Sequence, residues 1–175
     1  MSASDDCYSV WSTAWGPVGA VASPRGLRRF VLPHYRLDEL ADLLAWEHRG
    51  ARRDDAAFAQ LAGLTRAYFN GRTVEFAPVA CEMPGGRGLH AAVLAACRQV
   101  PYGQTVSYGE LARRIGRPDA VRAVAAALGR NPIPLVIPCH RVTYGDGRLG
   151  GFSAPGGVEI KRRMLELERR AAAGA

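Results

Sequence analysis

A thiol, an imidazole and a guanidinium follow one another in the run Ile137-Pro138-Cys139-His140-Arg141-Val142. The thiolate is the reactive form of cysteine, and a neighbouring cation favours it. The order of these side chains therefore predicts a nucleophile at Cys139, its thiol made more acidic by His140 or Arg141. Free cysteines are commonly buried packing residues, but a base and a fixed cation are poor company for an inert thiol. The other three cysteines, Cys7, Cys81 and Cys97, are widely spaced and form no C-x-x-C pair. Neither a disulfide framework nor a metal site is expected from them, and Cys97 reads as a packing residue.

The elements around this run must hold the thiol. Ile133 to Ile137 is apolar and predicts a short buried strand or a tightly packed extended segment. Pro138 fixes its own φ and pushes Ile137 towards extended geometry, so the backbone entering Cys139 should be rigid. Upstream, Ser107-Tyr108-Gly109-Glu110 fits a capping box opening a helix from Tyr108 to Ile115. Gly116 breaks it, Pro118 starts a second helix to Leu128, and Gly129 closes that one: a helix-turn-helix candidate. In the second helix Val121, Val124, Ala125 and Leu128 share the side expected to face the core. Asp119, Arg122, Ala123 and Ala126 face outward. A smooth face with one long cation suits a narrow groove and a single inserted side chain, although a solvated alanine-rich face would look the same. Downstream come a turn at Tyr144 to Gly147 and a glycine-rich loop, Gly150 to Gly157, which lacks the Gly-Lys-Ser/Thr of a phosphate loop. The last helix, Val158 to Arg170, should bury Ile160, Met164 and Leu167. Glu168 borders that stripe and needs a partner, either His140 or, more simply, an arginine at the rim.

The first part of the chain carries no comparable chemistry. Three short strands are expected within residues 7–32, separated by turns at Gly16-Pro17 and Pro24-Arg25-Gly26. Helices follow at Asp38 to Trp46 and Asp54 to Phe69, and a further one at Gly88 to Val100 with Leu89, Val93, Ala96 and Val100 as its stripe. Pro and Gly are dense from Pro78 to Gly88, and the charge changes there too. Residues 1–80 hold nine arginines and nine acids, whereas residues 81–175 hold fourteen Lys or Arg against seven acids and supply the whole +7. This predicts an α+β chain in two parts: a domain over 1–78, a linker over 79–87, a second domain over 88–170 and a tail over 171–175. The basic second part suits a polyanion, nucleic acid first. No apolar run is long enough to span a membrane and no signal peptide is visible, so a cytoplasmic protein with reduced thiols is expected.

Taken together, Ser107-Tyr108, Arg122-Ala123-Val124, Gly129-Arg130-Asn131-Pro132, Ile137 to Val142, Gly150 to Ser153 and Lys161 through Glu168 resemble the C-terminal domain of O6-alkylguanine-DNA alkyltransferases, in the same order. The resemblance implies a ribonuclease H-like N-terminal domain, a small sheet with helices. It also implies a mostly helical, winged-helix-like C-terminal domain that binds double-stranded DNA carrying O6-alkylguanine. By that resemblance Cys139 takes the alkyl group once and irreversibly. His140 removes its proton through water, Glu168 orients His140, and Asn131 braces the Cys139 turn. Tyr108, Arg122, Ala123, Ala126 and Arg130 would meet the DNA, with Arg122 replacing an everted nucleotide that Tyr108 helps to rotate. Val142, Phe152 and Ser153 would line the substrate pocket with Tyr108. No cofactor, no metal and no partner chain is implied; the protein should act as a monomer. The loop from Phe152 to Gly157 is longer than is usual in that family by about two residues on the motif spacing, and Phe152 stands where Tyr is common, so the alkyl groups accepted are open. Three rivals remain: a module that binds alkylated DNA without transfer, a cysteine hydrolase, and a helix-turn-helix regulator with a sensing cysteine.

Overall fold

Alternation of apolar residues builds the first three strands, β1 (Cys7–Thr13), β2 (Gly16–Ser23) and β3 (Gly26–Val31), into an antiparallel meander. The computed structural model describes residues 5–83 and 88–174. These divide into two compact units, Met1–Glu82 and Met83–Ala175. In the first unit, helix α1 (Leu37–Glu47) sets Leu40 and Leu44 against Val10, Val21 and Val31 on one face of the sheet. Gly19 permits this approach, because a Cβ there would lie 2.8 Å from Leu44 Cδ1. Trp11 points to the other face, as the two-residue period of a strand requires. Its Nε1 donates to Thr65 Oγ1 at 2.9 Å on helix α2 (Ala59–Phe69).

Two features of this unit differ from the sequence expectation. A short strand β4 (Arg52–Arg53) pairs parallel to β1, giving the order β3-β2-β1-β4. The helix expected from Asp54 begins instead as a single turn of 3₁₀ helix at Ala56–Phe58. Asp54 Oδ1 accepts from Ala57 N and Asp55 Oδ1 from Ser9 Oγ, so both acids serve as turn anchors. Beyond α2, Ala80 and Glu82 exchange backbone hydrogen bonds with Leu27. Residues 84–87 of the linker expected over 79–87 lie outside the described residues, as do Met1 to Ser4 and Ala175.

The second unit contains α3 (Leu89–Arg98), β5 (Val106–Ser107), α4 (Tyr108–Arg114), α5 (Val121–Leu128), a 3₁₀ turn at Cys139–Arg141, β6 (Val142–Thr143) and α6 (Gly157–Ala173). Strands β5 and β6 pair in parallel. Its buried residues include Val93, Leu94, Cys97, Leu111, Val124, Leu128 and Met164. Each such side chain removed from water contributes about 1.5–3 kcal/mol.

Several helix registers are corrected here. The buried stripe of α3 runs through Val93, Leu94 and Cys97, leaving Leu89 exposed. Only half of the capping box forms: Ser107 Oγ accepts from Glu110 N, but Glu110 turns its carboxylate to Arg113 and Arg114. The α4–α5 turn is a Schellman motif, with Gly116 at φ +68, Gly116 N on Arg113 O and Arg117 N on Ala112 O. That turn carries the chain through Pro118 before α5 starts at Val121, three residues later than expected. Ala127 rather than Ala125 completes the buried face of α5. Ile133 to Ile137 is not a ladder strand. Leu135 sits at φ +74 and Ile137 N donates to Ile133 O, so the run folds on itself as a tight buried loop.

Candidate active site

The tight loop delivers Cys139 into the 3₁₀ turn, and one side chain holds both. Asn131 Nδ2 donates to Ile137 O at 2.8 Å and to Cys139 Sγ at 3.1 Å, while its Oδ1 accepts from Ile133 N at 3.0 Å. A single amide thus closes the loop at both ends and touches the thiol. Burial pushes the Cys139 thiol above its ordinary pKa, and the Asn131 hydrogen bond and the Lys161 charge do not overcome it. The expected acidification is therefore corrected: the resting group is a neutral thiol. The cation next in sequence does not serve it, because Arg141 commits its donors to Glu168 and to Val100 O.

Glu168 is not a rim residue. It is 1% exposed and gathers His140, Arg141 and the amide of Gly103. Burial alone would raise its carboxyl, but the hydrogen bonds and charges of His140 and Arg141 prevail and hold it at about 2. Burial also keeps the His140 ring below its ordinary pKa, against the pull of Glu168. A neutral ring beside an ionised carboxylate has one possible arrangement. The carboxylate only accepts, so His140 Nε2, 2.7 Å from Glu168 Oε1, carries the proton. Nδ1 is then the basic nitrogen, and it is buried without a hydrogen-bond partner among the described residues. The site therefore offers a neutral thiol, a neutral base with a free lone pair on the adjacent residue, and a fixed carboxylate behind that base.

Cys139, 8% exposed, opens onto a cavity of about 320 Å³. Tyr108, Phe152 and Ser153 line it as expected, joined by Tyr144, which the sequence reading placed in a turn. Gly150 is at φ +73, and a Cβ on it would lie 2.7 Å from Tyr108 Oη, so only glycine lets the loop pass the tyrosine. Val142 departs from expectation. It is buried, does not line the cavity, and its carbonyl accepts from Lys161 Nζ at 2.6 Å. Arg122, Ala123, Ala126 and Arg130 are exposed on α5 and just after it and are not among the cavity-lining residues, although their neighbours Ala125 and Gly129 are. Neither arginine is held in an ion pair among the described residues.

Lys161 is the residue that sequence reasoning passed over. The only lysine in the chain is fully buried on α6 with its ammonium 5.8 Å from the centre of the Tyr108 ring, and burial pulls it down to about 8. The available signal was its position next to Ile160 and one turn from Met164, but a lysine there reads equally well as a side chain reaching past the rim.

A family model described as "6-O-methylguanine DNA methyltransferase, DNA binding domain" matches residues 88–170. The chain is 46% identical over 102 residues to a methylated-DNA–protein-cysteine methyltransferase of Haemophilus influenzae; the match covers 58% of this chain and 55% of that protein, about half its length. A protein of the same name from Methanosarcina barkeri is 34% identical over 163 residues, covering 92% of this chain and 96% of the relative. Among solved structures, Mycobacterium tuberculosis OGT in complex with DNA superposes with a TM-score of 0.75 at 31% identity, over 94% of this chain and 93% of that one. No described helix is long and apolar enough to cross a membrane.

Proposed function

Because this chain belongs to the methylated-DNA–protein-cysteine methyltransferase family, we propose that it repairs DNA by direct reversal, moving the alkyl group of O6-alkylguanine onto Cys139. The observation that carries the reading is the thiol at the cavity wall, tied to Asn131 and followed by a neutral His140 whose proton Glu168 fixes on Nε2. In this scheme His140 Nδ1 takes the thiol proton through a bridging water, which fits a pair of neutral groups better than a pre-formed thiolate. The sulfur attacks the alkyl carbon. An S–C bond forms as the C–O6 bond breaks, and the electron pair goes to guanine, which gains a proton to match the one the thiol lost. A thioether is no leaving group for water, so each molecule reacts once.

An alkyl group on guanine O6 is hidden within a duplex, so the nucleotide must be everted into the cavity. The exposed, smooth face of α5 fits the minor groove with Ala123 and Ala126 against it. Arg122 fills the vacated stack, Arg130 meets phosphate and Tyr108 contacts the turned base; their exposure or cavity position supports these roles. Ser153 would meet the guanine O6. We assign residues 1–78 to a ribonuclease H-like domain, 79–87 to a linker and 88–170 to a winged-helix-like DNA-binding and transfer domain, in a cytoplasmic monomer without metal or cofactor.

The test is to incubate the full chain with duplex DNA carrying O6-methylguanine and to map its mass by peptide. One methyl group on Cys139, in an amount that stops at one per protein, is the expected result. Unmodified Cys139 with lesion-specific binding would replace transfer by recognition alone.

A further inference from the structure

Resting on that reading, we infer that Tyr144 is a specificity-determining residue, forming an aromatic wall of the cavity that selects for alkyl groups bearing a ring. Tyr144 follows β6 directly, five positions after the nucleophile, and lines the cavity with Cys139. The residue is 45% exposed, unlike the buried Tyr108 beside it. The part of Tyr144 that lines the cavity is the surface on which an incoming group can pack.

The ring is also held in place. Tyr144 N donates to Arg148 O at 2.8 Å and Gly147 N to Tyr144 O at 3.0 Å, closing a tight turn. Within it Arg148 is anchored on Asp146 through Nε and its own amide. The Arg148 guanidinium carbon lies 5.0 Å from the centre of the Tyr144 ring. The ring centre of Tyr144 is 5.2 Å from that of Tyr108, with planes inclined at 57°. Lys161 lies against the Tyr108 ring. The result is a series of cation, ring, ring and cation, and Phe152 also lines the cavity. Rings at these spacings and tilts attract one another beyond the area they bury. A methyl group offers little surface to such a wall, while a benzyl group offers a ring. A pre-positioned wall also avoids ordering a side chain on binding, so its effect falls on discrimination between adducts.

The experiment compares wild type, Tyr144→Ala, Tyr144→Leu and Tyr144→Phe on two duplexes, one with O6-methylguanine and one with O6-benzylguanine. Transfer to Cys139 is followed by mass, and the benzyl-to-methyl rate ratio is read. The ratio should fall about five- to tenfold in Tyr144→Ala, the size expected for one aromatic contact. Tyr144→Leu, which keeps bulk without a ring, should fall nearly as far, and Tyr144→Phe should match wild type. A ratio that is unchanged in both ring-less variants overturns the proposal, as does an equal loss of both transfers. Absence of any adduct on wild-type Cys139 from either duplex overturns the repair reading and this one with it, and so differs from failure of the wall alone.

Discussion

Glu168→Gln removes one charge from the point where two buried side chains and a backbone amide converge while keeping the shape of the side chain. Two routes give its cost. Holding the carboxyl at about 2 instead of its ordinary 4.5 corresponds to roughly 3 kcal/mol of native stability, at about 1.36 kcal/mol per unit. Independently, deleting one partner of a buried ion pair costs about 3–5 kcal/mol, because the other charge stays buried and uncompensated. That other charge is Arg141, 6% exposed. The expected loss at neutral pH is therefore about 3–4 kcal/mol. Since the folded pKa of Glu168 lies below the unfolded one, its contribution is complete above about 4.5 and disappears as the pH falls towards 2. Urea unfolding of wild type, Glu168→Gln, Arg141→Met and the double variant across that range measures it. The wild-type curve should fall more steeply on the acid side than the variant curve, and the double variant should cost less than the two single changes added. A neutral-pH difference below about 1 kcal/mol, which is the range of an exposed ion pair, or parallel curves at acid pH would refute the reasoning.

Lys161→Met removes a buried charge but leaves the Val142 carbonyl without this donor, so stability at neutral pH should rise by no more than about 2 kcal/mol. The folded pKa of Lys161 lies below the unfolded 10.5, so between about 8 and 10.5 wild type should gain stability relative to the variant, on top of a loss common to both from Cys97, Cys139 and Tyr108, whose folded pKa values are raised; urea unfolding of both proteins at pH 7 and pH 10 checks the difference. Asn131→Ala should cost about 1–3 kcal/mol through the unpaired Ile133 amide and Ile137 carbonyl. It should also move the midpoint for iodoacetamide labelling of Cys139 to higher pH, because the hydrogen bond that lowers the thiol pKa is gone; a midpoint that stays or drops counts against it. Gly150→Ala forces a methyl group towards Tyr108 Oη at positive φ. A loss of about 1–3 kcal/mol, read by thermal unfolding, should come with slower methyl transfer.

The thiol, imidazole and guanidinium in sequence marked Cys139 and its neighbours as a candidate site, but the burial of Glu168, read more simply as a rim residue, and the electrostatics of the cluster were not legible. Adjacent cations predicted an acidic thiol at Cys139, whereas burial and the commitment of Arg141 to Glu168 leave it neutral. Neither effect has a local signature, since Gly103 and Glu168 meet across 65 positions of chain. The three strands of the first unit were legible from apolar alternation and turn residues. The run Ile133 to Ile137 was not, because its apolar character is shared by a strand and by the tight loop that Asn131 and the left-handed Leu135 create. The start of α5 shifted for a related reason: Pro118 is allowed in a first helical turn, yet the Schellman turn at Gly116 had already set the chain direction.

Glu168 lies near the end of α6, 28 positions after His140 and 65 after Gly103. During synthesis, at about 5–20 residues per second, the thiol emerges seconds before the carboxylate that completes its surroundings. Until then His140 and Arg141 lack their anchor, and the imidazole has no fixed tautomer. A ribosome-bound chain should therefore hold Cys139 in an unfinished setting until the segment that carries Glu168 has been made and has folded against it.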